Sequence, residues 1–267
     1  MVNVIICGAA GRMGTANISV FNADRGVKIV GATEAPNSKY VGQDAGTVAG
    51  IDPIGVKITA DIEECIEDAH VIVDFTNCQA TLNHLKVAEK HIKGIVIGTT
   101  GFSAAQLNII QDTSKKIPVL FSPNMSLGIN TLFYLVKRAT QLLGEDYQVE
   151  ILEIHHDKKR DAPSGTAIQF GKIVADVRGQ SFEEVAVFGR HGVTGERRKE
   201  EIGITALRLA DVVGDHVVMF GTPGERIELC HRNSSRKTYA SGALRAVHFI
   251  AGKKNGFFTM ADVLSIM

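Results

Sequence analysis

The sequence predicts an α/β chain: a parallel-sheet domain, discontinuous in sequence, and a second, α+β domain with a mixed or antiparallel sheet. Three observations predict it. Short apolar runs alternate with amphipathic helical patterns as far as residue 121, as in a parallel sheet covered on both faces. A glycine-rich turn, Gly8-Ala9-Ala10-Gly11-Arg12-Met13-Gly14, directly follows the first of those runs. Beyond residue 124 the pattern changes to a long helix and then successive strands joined by turn residues, which indicates antiparallel or mixed pairing.

Val2 to Cys7 is apolar apart from Asn3, as a strand buried on both faces requires. The glycines after it are spaced G-x-x-G-x-x-G, a variant of the dinucleotide-binding fingerprint. That pattern gives a tight turn at Gly8, close approach of a pyrophosphate near Gly11 and close helix–strand packing at Gly14. The first domain is therefore expected to be of Rossmann type, with a helix running on through Phe21 and a second strand from Val27 to Thr33. Glu34 ends that strand, about 20 residues after the glycines, where a carboxylate accepts hydrogen bonds from adenosine ribose hydroxyls. An ordinary loop carboxylate is the plainer alternative. Ala35 and Pro36 follow, so no arginine stands beside the acid to pair with a 2′-phosphate, and Arg12 and Lys39 are the nearby cations. A charge-assisted hydrogen bond contributes roughly 1.5–3 kcal/mol, about ten- to hundredfold in preference. NADH is thus favoured, with NADPH tolerated through Arg12.

Residues 36–57 read as an irregular surface loop, Ile62 to Glu67 as a short helix, Val71 to Phe75 as a strand, Gln79 to Lys90 as a helix and Gly94 to Gly98 as a strand. Phe75-Thr76 and Gly98-Thr99-Thr100 then lie at the carboxyl ends of strands, where doubly wound sheets bind ligands. Their hydroxyl and backbone groups suit a nicotinamide ribose and carboxamide, or serve as helix caps. Ser103 begins a helix, Pro118 to Phe121 is a strand, and Ser122-Pro123-Asn124-Met125 is the loop after it. Gly128 to Leu143 is a long amphipathic helix. Strand patterns at Ile202 to Leu209, His216 to Gly221 and Arg226 to His231 belong to the second sheet. The polar loop from Arg190 to Gly203 is too long for a tight turn and suits a functional or subunit contact. The helix from Thr238 to Lys253 and the apolar Gly256-Phe257-Phe258 need a partner surface and are assigned back to the first domain. The expected domains are 1–126 with 237–267, and 127–236.

The most chemically loaded stretch runs from Glu153 to Ala167. Val149, Ile151 and Ile154 lead into it as a strand. His155, His156, Lys158, Lys159 and Arg160 follow, and Asp161-Ala162-Pro163-Ser164-Gly165-Thr166 turns into a helix. Ser164 can cap that helix, and Gly165 lets backbone N–H groups approach a bound group. Imidazoles and lysines beside a helix N-terminus suit an anionic, carboxylated substrate and a proton donor. A solvated basic run is the plainer alternative, and His155, His156 and Asp157 could be a metal fragment. Adjacent strand side chains point to opposite faces, which speaks against one ion held by both histidines.

Lysine plus arginine and aspartate plus glutamate number 29 each, so nothing favours nucleic acid or an anionic membrane as a partner. Cys7, Cys65, Cys78 and Cys230 show no C-x-x-C spacing and read as small buried thiols of a reducing compartment, neither disulfides nor zinc ligands. No secretory signal or membrane-length apolar run is visible, and a cytoplasmic location without metal is expected.

Taken together, the glycine turn, Gly98-Thr99-Thr100-Gly101 and His155-His156-x-x-Lys159-x-Asp161-Ala162-Pro163-Ser164-Gly165-Thr166-Ala167 closely resemble the 4-hydroxy-tetrahydrodipicolinate (dihydrodipicolinate) reductase family of lysine and diaminopimelate biosynthesis. Arg190-His191-Gly192-Val193-Thr194-Gly195-Glu196-Arg197, Gly224-Glu225-Arg226 and Ser234-Ser235-Arg236 extend the resemblance over the whole chain. It implies an NADH- or NADPH-dependent reductase of a cyclic dicarboxylate, assembled as a homotetramer through the second domain's sheet. It also implies His155 as proton donor, Lys159 as a second donor that holds a carboxylate, and His156, Gly165 and Thr166 as substrate-binding residues. Residues 8–13, Glu34, 98–100 and 122–125 would bind the dinucleotide, with catalysis between the domains. Two departures stand out. Ala35 replaces the arginine often found after the ribose-binding acid, and Ser122-Pro123 replaces the more usual small pair. Other two-domain dehydrogenases of amino-acid metabolism remain possible, with Cys78 as a loose match to a semialdehyde dehydrogenase nucleophile, as does a non-catalytic NAD-binding protein.

Overall fold

The computed structural model describes residues 1–266. It divides into two compact units, Met1–Leu127 with Arg236–Met267, and Gly128–Ser235. The chain opens with β1 (Val2–Cys7), α1 (Arg12–Asn22), β2 (Val27–Thr33), the single turn α2 (Ala45–Val48), β3 (Ile58–Thr59), β4 (Val71–Asp74), α3 (Cys78–Lys90), β5 (Gly94–Ile97), α4 (Ala104–Thr113) and β6 (Pro118–Phe121). Helix α5 (Leu127–Leu143) leads into the second unit, which continues with β7 (Gln148–His155), α6 (Gly165–Val177), α7 (Phe182–Val185), β8 (Ala186–Phe188), β9 (Ile202–Arg208), β10 (Asp215–Thr222) and β11 (Glu225–His231). The chain then returns to the first unit with α8 (Lys237–Ile250), β12 (Gly256–Phe258) and α9 (Met260–Val263).

The first sheet has the order β12-β6-β5-β4-β1-β2-β3, and every pairing in it is parallel. Its central strands are apolar throughout because both faces are covered. Val4, Ile6 and Val73 pack with Ile18 and Phe21 of α1 and Val247 and Ile250 of α8. Ile5, Cys7 and Ile72, one residue out of phase, pack with Leu82 and Leu85 of α3 and Ile110 of α4. The period of two along each strand thus feeds two separate cores.

The structure adds elements to this unit. Residues 36–57 hold α2, capped by Asp44, whose side chain accepts from the backbone N–H of Thr47. Strand β3 pairs only Ala32 with Ile58 and Thr33 with Thr59, too short to leave a period in the sequence. The expected helix from Ile62 to Glu67 is a 3-10 turn over Ile62–Glu64, capped by Asp61. Gly256 to Phe258 is a strand, joined in parallel to β6. Only Cys7 of the four cysteines is fully buried and Cys230 is exposed, so the expectation of four buried thiols is corrected; all four are free.

The second sheet is mixed, in the order β11-β10-β7-β9-β8, with β7 antiparallel to β10 and parallel to β9. Helices α5 and α6 pack on one face, where Ile129, Val136, Phe170 and Val174 meet Val149, Ile151, Ile204 and Phe220. The inward series of β7 is Val149, Ile151, Glu153 and then His155, so Ile154 belongs to the opposite face, not to the run that the sequence pattern assigns it to. Helix α7 and strand β8 were not foreseen; each is a single short segment with no readable period. The loop after Arg190 is held by Glu150, whose carboxylate takes two hydrogen bonds of 3.0 Å from Arg190 and one of 3.0 Å from Arg197. Phe170 is fully buried between β7 and the Phe133 ring, 4.7 Å away centroid to centroid. Phe170→Ala is expected to lower unfolding stability by about 3–5 kcal/mol, read from chemical denaturation.

Candidate active site

In the first sheet the strand order reverses between β1 and β4, and open parallel sheets bind ligands at the carboxyl edge of such a point. A cavity of about 470 Å³ lies there, lined by Gly8, Gly11, Glu34, Ala35, Thr76 and His84 among others. Gly8 adopts φ +72°, which favours glycine, and the Gly11 N–H donates to the Gly8 carbonyl at 2.9 Å. A Cβ on Gly14 would lie 2.0 Å from that same carbonyl oxygen, so α1 can start this close to β1 only with glycine there. No side chain caps α1, and its first turn holds no acid. Its free N–H groups and positive dipole end suit a pyrophosphate. The Glu34 carboxylate accepts from the Ala10 N–H at 2.8 Å and from the Ala35 N–H at 3.2 Å, which fixes it beside the turn. This backbone cradle and anchored acid fit a dinucleotide.

Of the residues predicted to bind it, Gly8, Gly11 and Glu34 line this cavity, and Ala9, Ala10, Arg12 and Met13 belong to the same turn and the start of α1. The loops after β5 and β6 end at the same sheet edge but outside the cavity. There Gly98 makes room for the Phe75 ring, which a Cβ would meet at 2.1 Å. The Thr99 hydroxyl is taken up by Asp74 at 3.2 Å and Thr81 at 2.9 Å, while Thr100 is exposed. The Ser122 hydroxyl donates to the Asn124 carbonyl at 2.8 Å; Pro123 is exposed and Met125 is a core residue. Thr99, Ser122 and Met125 thus offer a ligand backbone groups more than side chains. His84 also escaped the sequence reading. Burial pushes its pKa down, but Cys7 and Asp74 outweigh that and raise it to about 10.

In the second unit the chemistry gathers at the end of β7. Glu153 has no exposed surface. Its carboxylate takes hydrogen bonds from His155 Nδ1 at 2.5 Å, from the Ser164 N–H at 3.0 Å and from Arg208 at 3.0 and 3.2 Å. Burial raises the Glu153 pKa, but the bonds from His155 and Arg208 more than offset it and hold the carboxyl below its ordinary range. With Nδ1 committed, the other ring nitrogen of His155 is the one presented outward, and a side chain at Gly214 would crowd it at 3.0 Å. Lys159 is paired with Asp161 at 2.8 Å. Ser164 caps α6 by accepting from the Ala167 N–H at 3.1 Å, and its hydroxyl meets His216 Nε2 at 3.1 Å. Gly165 faces open space at the start of α6, with Thr166 half-buried after it. His156 lies just past the strand end, with a buried Nδ1 that has no partner among the described residues. His155, His156 and Asp157 do not converge as metal donors among the described residues.

Comparison with known proteins decides between the readings left open by the sequence. Residues 2–125 match the family described as Dihydrodipicolinate reductase, N-terminus, and residues 128–264 match Dihydrodipicolinate reductase, C-terminus. The chain belongs to the dihydrodipicolinate reductase family. It is 46% identical over 266 residues to the 4-hydroxy-tetrahydrodipicolinate reductase of Anaeromyxobacter sp. (strain Fw109-5), covering 100% of this chain and 98% of that one. The enzyme of the same name from Syntrophotalea carbinolica is 44% identical, with 100% of both chains covered. Among solved structures, the dipicolinate-bound dihydrodipicolinate reductase from Paenisporosarcina sp. TG-14 has the same fold, with a TM-score of 0.78, 23% identity and full coverage of both chains. A dihydrodipicolinate reductase is an oxidoreductase, and its Rossmann-type unit implies a nicotinamide cofactor. No helix among the described residues is long and apolar enough to cross a membrane.

Four residues that shape this reductase's histidine cluster were given no role by the sequence reading: Glu153, although it heads the stretch, and Arg208, Gly214 and His216. Glu153 follows two inward apolar residues at strand spacing, and that phase was the available signal. His216 pairs directly with Glu153 in the sheet. Burial is the main cause that lowers its pKa, from 6.5 to about 3, with His155 beside it adding to the effect. A base that folds in its neutral form contributes stability above its unfolded pKa and loses it as the pH falls toward the folded value. Between pH 6.5 and about 3, wild-type stability is therefore expected to fall more steeply than that of His216→Gln, as melting temperatures across that window will show.

Proposed function

We propose that this chain reduces 4-hydroxy-tetrahydrodipicolinate in lysine and diaminopimelate biosynthesis, with a hydride from NADH or NADPH and a proton from His155. The observation that carries the reading is the His155 imidazole fixed by buried Glu153 beside Lys159, in a chain related over its full length to reductases of that name. When bound, the reduced nicotinamide supplies the hydride. The chain's own residues do the rest. Residues 8–13, Glu34, 98–100 and 122–125 hold the dinucleotide. Lys159 pairs with one substrate carboxylate, releasing Asp161, and the N–H groups at Gly165 and Thr166 take the other, with His156 beside them. Glu153 holds the His155 ring so that its free nitrogen delivers the proton. A positioned acid of this kind contributes about 10²–10⁴-fold in rate.

The first unit serves as the dinucleotide-binding domain and the second as the substrate-binding and oligomerisation domain of a cytoplasmic homotetramer. The exposed Leu207, on the face of the second sheet away from α5 and α6, supports that assembly. NADH is the preferred cofactor, because Ala35 lines the cavity beside Glu34 where an arginine would pair with a 2′-phosphate.

The deciding assay follows NADH absorbance with the condensation product of pyruvate and aspartate semialdehyde. Oxidation of NADH supports the reductase, whereas tight NADH binding without turnover sinks it. His155→Ala and Glu153→Gln are expected to lower kcat far more than they raise KM, by about 10²-fold or more for His155→Ala. Lys159→Ala damages both parameters, because its charge acts on ground and transition states alike. Ala35→Arg is expected to move the ratio of kcat/KM values toward NADPH by about ten- to hundredfold. An unmoved ratio refutes the assigned adenosine pocket.

A further inference from the structure

The first unit contains a second imidazole–carboxylate pair, with a thiol beside it. Cys7 ends β1, Asp74 ends β4, and the two are direct partners in the parallel ladder. His84 comes from α3, the helix that covers this face of the sheet. One donor atom from each of the three lies within 4.8 Å of the other two. The carboxylate is built in. Its Oδ1 accepts from the Thr76 hydroxyl at 2.7 Å, the Thr76 N–H at 3.0 Å, the Thr81 hydroxyl at 3.0 Å and the Thr99 hydroxyl at 3.2 Å. That leaves Oδ2 for His84 Nδ1, at 2.6 Å. Cys7 and Asp74 are sealed from solvent, while His84 keeps 18% of its side chain exposed and lines the cavity at this sheet edge.

We propose that Cys7, Asp74 and His84 bind one zinc-class divalent cation at the inner wall of that cavity. A thiol, an imidazole and a carboxylate form a borderline-soft donor set, which suits Zn²⁺ and Cd²⁺ and not the all-oxygen preference of Mg²⁺ or Ca²⁺. The three threonines around Oδ1 orient the carboxylate as outer-shell hydroxyls do in zinc sites. On binding, the Cys7 thiol proton and the proton between His84 Nδ1 and Asp74 leave to solvent, and the two charges of the cation offset thiolate and carboxylate, so the buried cluster is neutral. Zinc bonds of about 2.0–2.3 Å place tetrahedral donors roughly 3.3–3.8 Å apart. The His84–Asp74 pair therefore has to open by about 1 Å from its hydrogen-bonded separation, a movement the partly exposed His84 side chain can make. The ion enters from the cavity, on the side of His84, and water fills its remaining position. Once bound, it ties β1, β4 and α3 together where the strand order reverses.

The test uses the full-length protein, stripped with a chelator and titrated with Cd²⁺ while the thiolate-to-cadmium charge-transfer band is followed. Zn²⁺ affinity is measured by competition with a chromophoric chelator. The expected result is one ion per chain and a band that is lost in Cys7→Ser and kept in Cys78→Ser. His84→Gln is expected to weaken Zn²⁺ at least about tenfold. Zn²⁺ is expected to raise the melting temperature of the wild type but not of Cys7→Ser. A band that survives Cys7→Ser, or that disappears with Cys78→Ser, overturns the site. Should Cys7→Ser not fold, unchanged Zn²⁺ affinity in His84→Gln overturns it equally.

Discussion

A carboxylate without access to water organises the second unit. Taking such a charge out of solvent costs several kcal/mol unless each lone pair finds a donor. Glu153 meets that demand from three directions: a guanidinium from β9, a backbone N–H at the cap of α6 and an imidazole two residues along its own strand. Each donor is thereby fixed. The helix start, the orientation of the His155 ring and the placement of Arg208, which also reaches the Asp161 carbonyl at 2.6 Å, follow from one buried charge. Removing that charge would leave Arg208 and His155 without their common anchor, so one substitution disturbs the helix start and the imidazole together.

Asp74 plays a comparable part in the first unit. It too lies at or near the end of a central strand, is fully buried, and takes an imidazole Nδ1, with hydroxyls drawn from α3 and the neighbouring loops. The surroundings make the two imidazoles different. His155 lies edge-on to neutral His216, with ring centroids 5.3 Å apart. His84 sits beside Cys7 and faces a cavity. The same local device is thus used once against a helix cap and once against a sheet edge.

Most of the fold could be read from the sequence, and the reasons are physical. β1 and β4 are apolar on both faces because two cores need them, and the glycines at 8, 11 and 14 are demanded by backbone contacts that no side chain could share. What escaped was short or out of phase. β3, β8 and β12 are too brief to show a period. Ile154 drew attention to the wrong face of β7 and hid Glu153 in its inward series. The histidines, Lys159 and the Gly165 turn were legible as a cluster because they are contiguous in sequence. Arg208, Gly214 and His216 were not, since only the pairing of β7 with β9 and β10 brings them in.

The first unit is made of two stretches of chain, with the whole of the second inserted between them. Helix α8 supplies Ala243, Ala246, Val247 and Ile250 to one of its cores, and β12 closes one edge of its sheet. On a ribosome, the residues up to 127 therefore wait with one sheet face covered by α1 but lacking α8 until synthesis has passed residue 250. The inserted unit, complete by residue 235, is free to fold while that face is still only partly covered, so the last domain to mature is the one translated first.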